Sequence, residues 1–128
     1  SIGDDNSPIL EYELAEITSN SLPDEFELGR TYTIDVAYVL PTQCHKFVAI
    51  DASREGNTGA KRREIYIAAV ASYVQNSVCT QELGNSGTST FTILIDESED
   101  YKFYFWKGTG PADEPIYDEV TVPVVETI

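Results

Sequence analysis

Apolar and polar residues alternate with a period of two along most of this chain, and that pattern predicts strands. Residues 31–40 carry it most cleanly. Tyr32, Ile34, Val36, Tyr38 and Leu40 share one face and Thr31, Thr33 and Asp35 the other, until Pro41 removes a ladder donor. Residues 9–17 place Leu10, Tyr12 and Leu14 against Glu11 and Glu13. Residues 43–52 set Val48 and Ile50 on one face and Phe47 and Ala49 on the other. Residues 64–75 hold Ile65, Ile67, Ala69, Ala71 and Tyr73 in one phase and Tyr66, Ala68, Val70 and Val74 in the other. That segment reads as a strand buried on both sides, or, through its alanines, as a helix. The last third predicts three closing strands: T-F-T-I-L-I-D (90–96), Y-K-F-Y-F-W-K (101–107) and I-Y-D-E-V-T-V-P-V-V (116–125).

Turn chemistry fills the gaps. Residues 18–30 contain Asn20, Pro23, Asp24 and Gly29 and read as a connection. The glycine-bearing tip 53–63 joins its flanking strands as a long hairpin. Residues 82–89 read as a loop, 96–100 as a tight acidic connection and 108–115 as a Gly/Pro turn. Seven short strands without a convincing helix imply an all-β fold, an antiparallel β-sandwich of immunoglobulin or fibronectin-III type. A partly closed barrel is the competing architecture. The expected organisation is a turn-rich, flexible lead-in over 1–8 and one sandwich domain over 9–128, within the size that a single core serves.

Composition narrows the function classes. The 128 residues carry 22 acidic and 8 basic side chains, a formal charge of −14 that repels phosphate backbones and disfavours nucleic-acid partners. No apolar run reaches the length of a membrane span. The chain opens on Ser1 and contains no Met, so a processed or trimmed chain is expected.

The two cysteines, Cys44 and Cys79, have neither the count nor the spacing of a zinc set or a C-x-x-C redox pair. Each sits at the edge of a predicted strand, so they read as a disulfide, with two reduced buried thiols as the alternative. His45 is the single histidine. Its neighbour Cys44 points to the opposite strand face, so no nucleophile–base pair forms locally, and His45 reads as an exposed strand residue. No catalytic residue, cofactor site or metal site is assigned. Dispersed carboxylates read as a solvated surface, although a small acid–base hydrolase would need two of them to converge in a cleft. The D-E-S-E-D connection at 96–100 is rich in oxygen donors, but it lacks the spacing of an EF-hand and reads as a solvated loop.

Two surfaces are candidates for binding. Lys46, Arg54, Lys61, Arg62 and Arg63, five of the eight cations, fall in or beside the hairpin tip. The tip is either a solubilised end or a recognition loop for an acidic partner, a sulfated glycan or a phosphate surface, with Arg54, Lys61, Arg62 and Arg63 as its contacts. On 101–107, Lys102, Tyr104 and Trp106 share the face opposite Tyr101, Phe103 and Phe105, and periodicity leaves open which face is inward. An outward Tyr104 and Trp106, with Tyr66 or Tyr117 beside them, would stack on sugar faces.

The pattern Y-K-F-Y-F-W-K-G, a Gly/Pro loop and I-Y-D-E-V-T-V-P-V, with the lead-in S-I-G-D-D-N-S-P, resembles small secreted sandwich domains of Bacteroidetes. Those are typically lipoproteins of uncharacterised function. The resemblance covers about the last quarter of the chain and its first few residues. It implies a sandwich fold, an outward-facing place at the cell envelope and a lipid anchor upstream of Ser1. It implies no activity. The expected function is a non-enzymatic extracytoplasmic module with a surface-binding, structural or adhesive role and an envelope-protein or glycan partner. The alternatives are a carbohydrate-binding module using exposed aromatics and, behind it, the hydrolase.

Overall fold

The computed structural model describes residues 8–79 and 82–126. Its strands are β1 (Leu10–Asn20), β2 (Phe26–Glu27), β3 (Thr31–Val39), β4 (Lys46–Arg54), β5 (Glu64–Val74), β6 (Ser86–Leu94), β7 (Tyr101–Thr109), β8 (Pro115–Val122) and β9 (Val124–Val125). A 3₁₀ turn, Gly59–Arg63, stands between β4 and β5. Among the described residues there is no α-helix, and the helical alternative for 64–75 is not realised. Ile65, Ile67, Ala69 and Ala71 are buried there and alternate with half-buried residues, so a two-residue period governs that segment despite its alanines.

Hydrogen bonding runs in the order β6-β3-β1-β5-β7-β8, with β4 along the other edge of β5. β1 belongs to two layers. Its first half, Leu10–Ala15, pairs antiparallel with β5, and its second half, Glu16–Asn20, pairs antiparallel with β3 across a bulge between Ile17 and Ser19. One layer is therefore β6, β3 and the end of β1; the other is the start of β1 with β4, β5, β7 and β8. Their inner faces pack as a sandwich, as the alternation predicts. Two ladders are parallel, β5–β7 and β2–β9. They distinguish this arrangement from the two purely antiparallel sheets of an immunoglobulin sandwich.

The core lies where the inward phases meet: Ile34, Val36, Phe91 and Ile93 on one side, Ile65, Ile67, Phe103 and Phe105 on the other. Each fully buried side chain of this size contributes roughly 1.5–3 kcal/mol by leaving water. Phe26 plugs one end, fully buried, with its ring centroid 4.8 Å from Tyr32, 5.8 Å from Tyr101 and 5.9 Å from Phe103. The short β2–β9 pair holds it there.

Several boundaries differ from the sequence expectation. β1 continues to Asn20, and β2 forms within the stretch read as a connection. β4 occupies 46–54 rather than 43–52, and a bulge between Phe47 and Ala49 breaks its alternation. Phe47 and Ile50 therefore both pack on the core, while Val48 is 49% exposed. β6 starts at Ser86, inside the expected loop, because its Ser/Thr run pairs with β3 along the whole strand. The 96–100 connection is not a hairpin: β6 bonds to β3 and β7 to β5 and β8, so it crosses between layers. The last expected strand breaks at Pro123 into β8 and β9. The expected lead-in lies, but for Pro8, outside the described residues.

Candidate functional site

The alternation of β7 settles which face of 101–107 is inward. Tyr101, Phe103 and Phe105 are fully buried. Lys102, Tyr104 and Trp106 therefore project from the outer face of the larger layer, with Tyr104 and Trp106 half-buried among their neighbours. The parallel β5–β7 ladder sets Tyr66 opposite Tyr104, and the antiparallel β7–β8 ladder sets Trp106 opposite Tyr117 and Tyr104 opposite Glu119. Register alone thus gathers residues from three strands into one aromatic patch.

Tyr66 and Tyr104 stack at 4.7 Å between centroids with 14° between planes. Tyr117 meets both edge-on, 5.2 Å from Tyr66 and 6.1 Å from Tyr104. Offset-stacked and edge-to-face pairs of this kind hold rings in fixed orientations. Desolvation by this packing raises the Tyr66 hydroxyl above its usual range, with Glu55 adding to it. Tyr104 is raised in the same way by desolvation and then by Glu119 and Glu64. Both phenols stay protonated as donors over the ordinary pH range. Beside the patch Lys102 reaches Glu119 at 3.5 Å. A shallow pocket of about 290 Å³ opens next to it, lined by Arg63, Glu64, Glu99, Asp100 and Lys102. Donors and acceptors of both signs therefore adjoin a rigid aromatic floor.

The basic tip has a different fate. Arg62 spans both carboxylates of the acidic connection, donating to the two Asp96 oxygens at 2.9 and 2.7 Å and to Glu97 at 2.6 Å. Arg63 donates to the other Glu97 oxygen at 3.0 Å and, through Nε, to the Asp100 carbonyl at 3.2 Å. Arg54 donates to the Arg62 carbonyl at 2.6 Å. Lys61 is exposed. These bidentate contacts raise the Arg62 guanidinium further, first through Asp96 and then Glu97. In turn Arg62 holds the Asp96 carboxyl down at about 2, and lowers Glu97 as well. The two sequence features with the sharpest alternative readings, basic tip and acidic connection, thus meet and neutralise each other. Among the described residues no cluster of three His, Cys, Asp or Glu side chains is placed to hold a metal.

Cys44 and Cys79 form a disulfide with a Cα separation of 6.0 Å. Beside it lies the one buried polar side chain among the described residues, His45, at 8% exposure. The expectation of an exposed strand histidine is corrected here. His45 precedes β4, in a turn shaped by the Cys44 amide donating to Thr42 Oγ1 at 3.1 Å. The turn folds the ring under the core. His45 Nε2 donates to Glu13 at 2.7 Å, Nδ1 lies 2.7 Å from Thr42 Oγ1, and the ring packs 4.8 Å from Tyr73. Tyr73 donates to Glu11 at 2.6 Å, which raises its hydroxyl. A hydroxyl, an imidazole and a carboxylate thus stand in a row, with Thr42 Oγ1 also accepting from the Cys44 amide. The row braces β1, the turn and β5 at one end of the core. Sequence gave no signal for this burial, since it depends on a turn pairing residues 32 positions apart.

No protein-family model, no curated protein and no solved structure matches this chain. No helix among the described residues is long and apolar enough to cross a membrane.

Proposed function

We propose that this protein is a non-enzymatic extracytoplasmic β-sandwich module that binds a glycan on the outer face of β5, β7 and β8. One observation carries the reading: the Tyr66–Tyr104 stack, buttressed by Tyr117 and continued by Trp106, stands on the solvent side of the layer. Sugar rings present apolar C–H faces that stack on such rings, while their hydroxyls need the mixed donors and acceptors that Arg63, Glu64, Glu99 and Lys102 supply alongside. Rings fixed by mutual packing lose little freedom on binding, which favours affinity. The disulfide supports an oxidising compartment outside the cytoplasm. An anchor ahead of Ser1 and a place at the cell envelope belong to the same proposal. Intact mass of protein from its native host, with an acylated cysteine expected, tests both.

The hydrolase reading keeps one favourable observation, since Glu64, Glu99 and Asp100 share a concavity; Arg63 and Lys102 line it too, and a mixed lining of this kind matches a binding pocket better. A glycan array followed by calorimetry on the best ligand tests the proposal. Tyr104→Ala and Trp106→Ala are expected to weaken binding by roughly tenfold each, within the range measured for aromatic contacts. Replacing Arg54 and Lys61 by Ser is expected to leave it unchanged. Binding that survives both aromatic replacements, or an array without a ligand, would overturn the reading.

A further inference from the structure

The seven-stranded assembly has three strands bonded to a single neighbour: β4, β8 and β6. Each leaves a row of backbone donors and acceptors without a strand partner, the arrangement that invites pairing with another chain. Two of them carry the usual obstacles. β4 is bulged and charged, with Lys46, Asp51 and Arg54. β8 begins at Pro115, bears Asp118 and Glu119, and is followed by Pro123. β6 carries none of these. Its nine residues, S-G-T-S-T-F-T-I-L, include no charge and no proline, and they pair with β3 in unbroken register from Ser86 to Leu94. In a chain of formal charge −14, a neutral strand of this length at an open edge is the exception.

We infer that the free edge of β6 is a dimerisation surface, on which a second copy of this chain adds its own β6 antiparallel about a two-fold axis at Thr90. The inference is independent of the glycan reading. The sequence of β6 is complementary to itself in that register. Thr90 meets Thr90 of the second copy, and Thr88 meets Thr92 twice, all on the exposed side of the strand. Threonine pairs opposed across antiparallel strands stabilise a sheet. On the inner side Ser89 meets Phe91 and Gly87 meets Ile93, so no like charges and no two bulky groups are opposed. The same operation on β8 about Asp118 or about Glu119 would oppose two carboxylates at the axis.

A cleft of about 220 Å³ flanks this edge, between Ser53 and Arg54 of β4 and Phe91 and Ile93 of β6. Arg54, which lines the cleft, donates to the Arg62 carbonyl. A second β6 would cover the flank of Phe91 and Ile93 and close the two smaller layers into one continuous sheet. An isologous contact of this kind ends at two copies. The opposing force is the repulsion of two strongly acidic chains, which salt screens.

Sedimentation equilibrium on the full chain, from low salt to about 0.5 M NaCl, tests the inference. A monomer–dimer equilibrium that tightens as salt rises is expected. Thr90→Lys, which opposes two ammonium groups at the two-fold axis on an exposed position, is expected to weaken it about five-fold or more with unchanged circular dichroism. Thr121→Lys, on the β8 edge, adds the same charge and is expected to leave dimerisation no weaker. A monomer at every salt and concentration overturns the inference, and so does a dimer that Thr90→Lys leaves intact.

Discussion

Replacing Cys44 and Cys79 with serine is expected to cost more stability than any surface change in this protein. The disulfide joins residues 35 apart and encloses β4, the 3₁₀ turn and β5. A cross-link stabilises chiefly by removing conformations from the unfolded chain, and a loop of this length corresponds to roughly 3.8 kcal/mol at 25 °C. Native domains have about 5–15 kcal/mol in total, so the loss is a large part of the whole. Unfolding entropy near the midpoint is about 2.1 cal/mol/K per residue, or roughly 0.27 kcal/mol/K for this chain, which converts the loss to a fall in Tm of about 14 °C. Calorimetry measures the Tm, and urea titration followed by tryptophan fluorescence measures Cm and m. The m-value is expected to rise, because the unlinked chain exposes more surface when it unfolds. A Tm within about 3 °C of the parent with unchanged m would refute the reasoning. It would mean that the β4–β5 hairpin persists in the unfolded ensemble and that the link constrains nothing further.

The Arg62–Asp96–Glu97 cluster gives the pH dependence a definite sign. The Asp96 carboxyl is held at about 2, below its ordinary 3.8, so the unfolded chain takes up the proton first. The stabilisation is intact above the ordinary value and is lost as pH falls from there through about 2. Asp96 is partly exposed, so solvent screening limits the effect to about 1 kcal/mol or less. Urea midpoints of the parent and Arg62→Ala, compared from pH 6 downwards, are expected to converge as the carboxyl protonates; a constant gap would show that Arg62 acts through packing alone. Gly84→Ala is expected to destabilise by about 2–3 kcal/mol, an overpacking cost. A Cβ there would lie 2.2 Å from the Thr42 carbonyl oxygen, a backbone atom that cannot move aside cheaply. Thermal unfolding within about 1 °C of the parent would count against that close approach.

Much of the fold was legible because half-burial imposes a period of two. The inward phase of β3 was readable residue by residue. That of β5 was not: with apolar residues in both phases the segment read as buried on both sides or as a helix, and its pairing with β1, β4 and β7 decides for a strand whose Ile65, Ile67, Ala69 and Ala71 are buried. What was not legible depends on partners distant in sequence. Val48 and Ile50 read as sharing one face until the bulge between Phe47 and Ala49 shifts the phase. The Ser/Thr stretch before Thr90 reads as a loop because nothing local shows that β3 will pair with it. Gly87 is tolerated within β6 because the Tyr38 phenol lies across it, where a Cβ would come within 2.4 Å of the hydroxyl oxygen. At the candidate site, Tyr104, Trp106, Tyr66 and Tyr117 were visible as aromatics on strands, and their convergence followed from register. The two readings of the basic tip stayed open for the converse reason. A run of cations looks available in sequence, and only the fold shows that Arg62 and Arg63 already face Asp96 and Glu97.

The division of β1 between the two layers has a mechanical meaning. Tension applied at the N-terminal end of β1 pulls the strand along its own axis, and both of its ladders resist in shear, with many hydrogen bonds loaded together. The same strand is bonded into each layer, through successive halves. Forced unfolding is governed by the unfolding rate, and here the load along β1 falls on its ladder with β5 and then on its ladder with β3. A domain held by its leading end and bound to a ligand on the face of β5, β7 and β8 would carry that load through the β1–β5 ladder, which joins residues far apart in sequence.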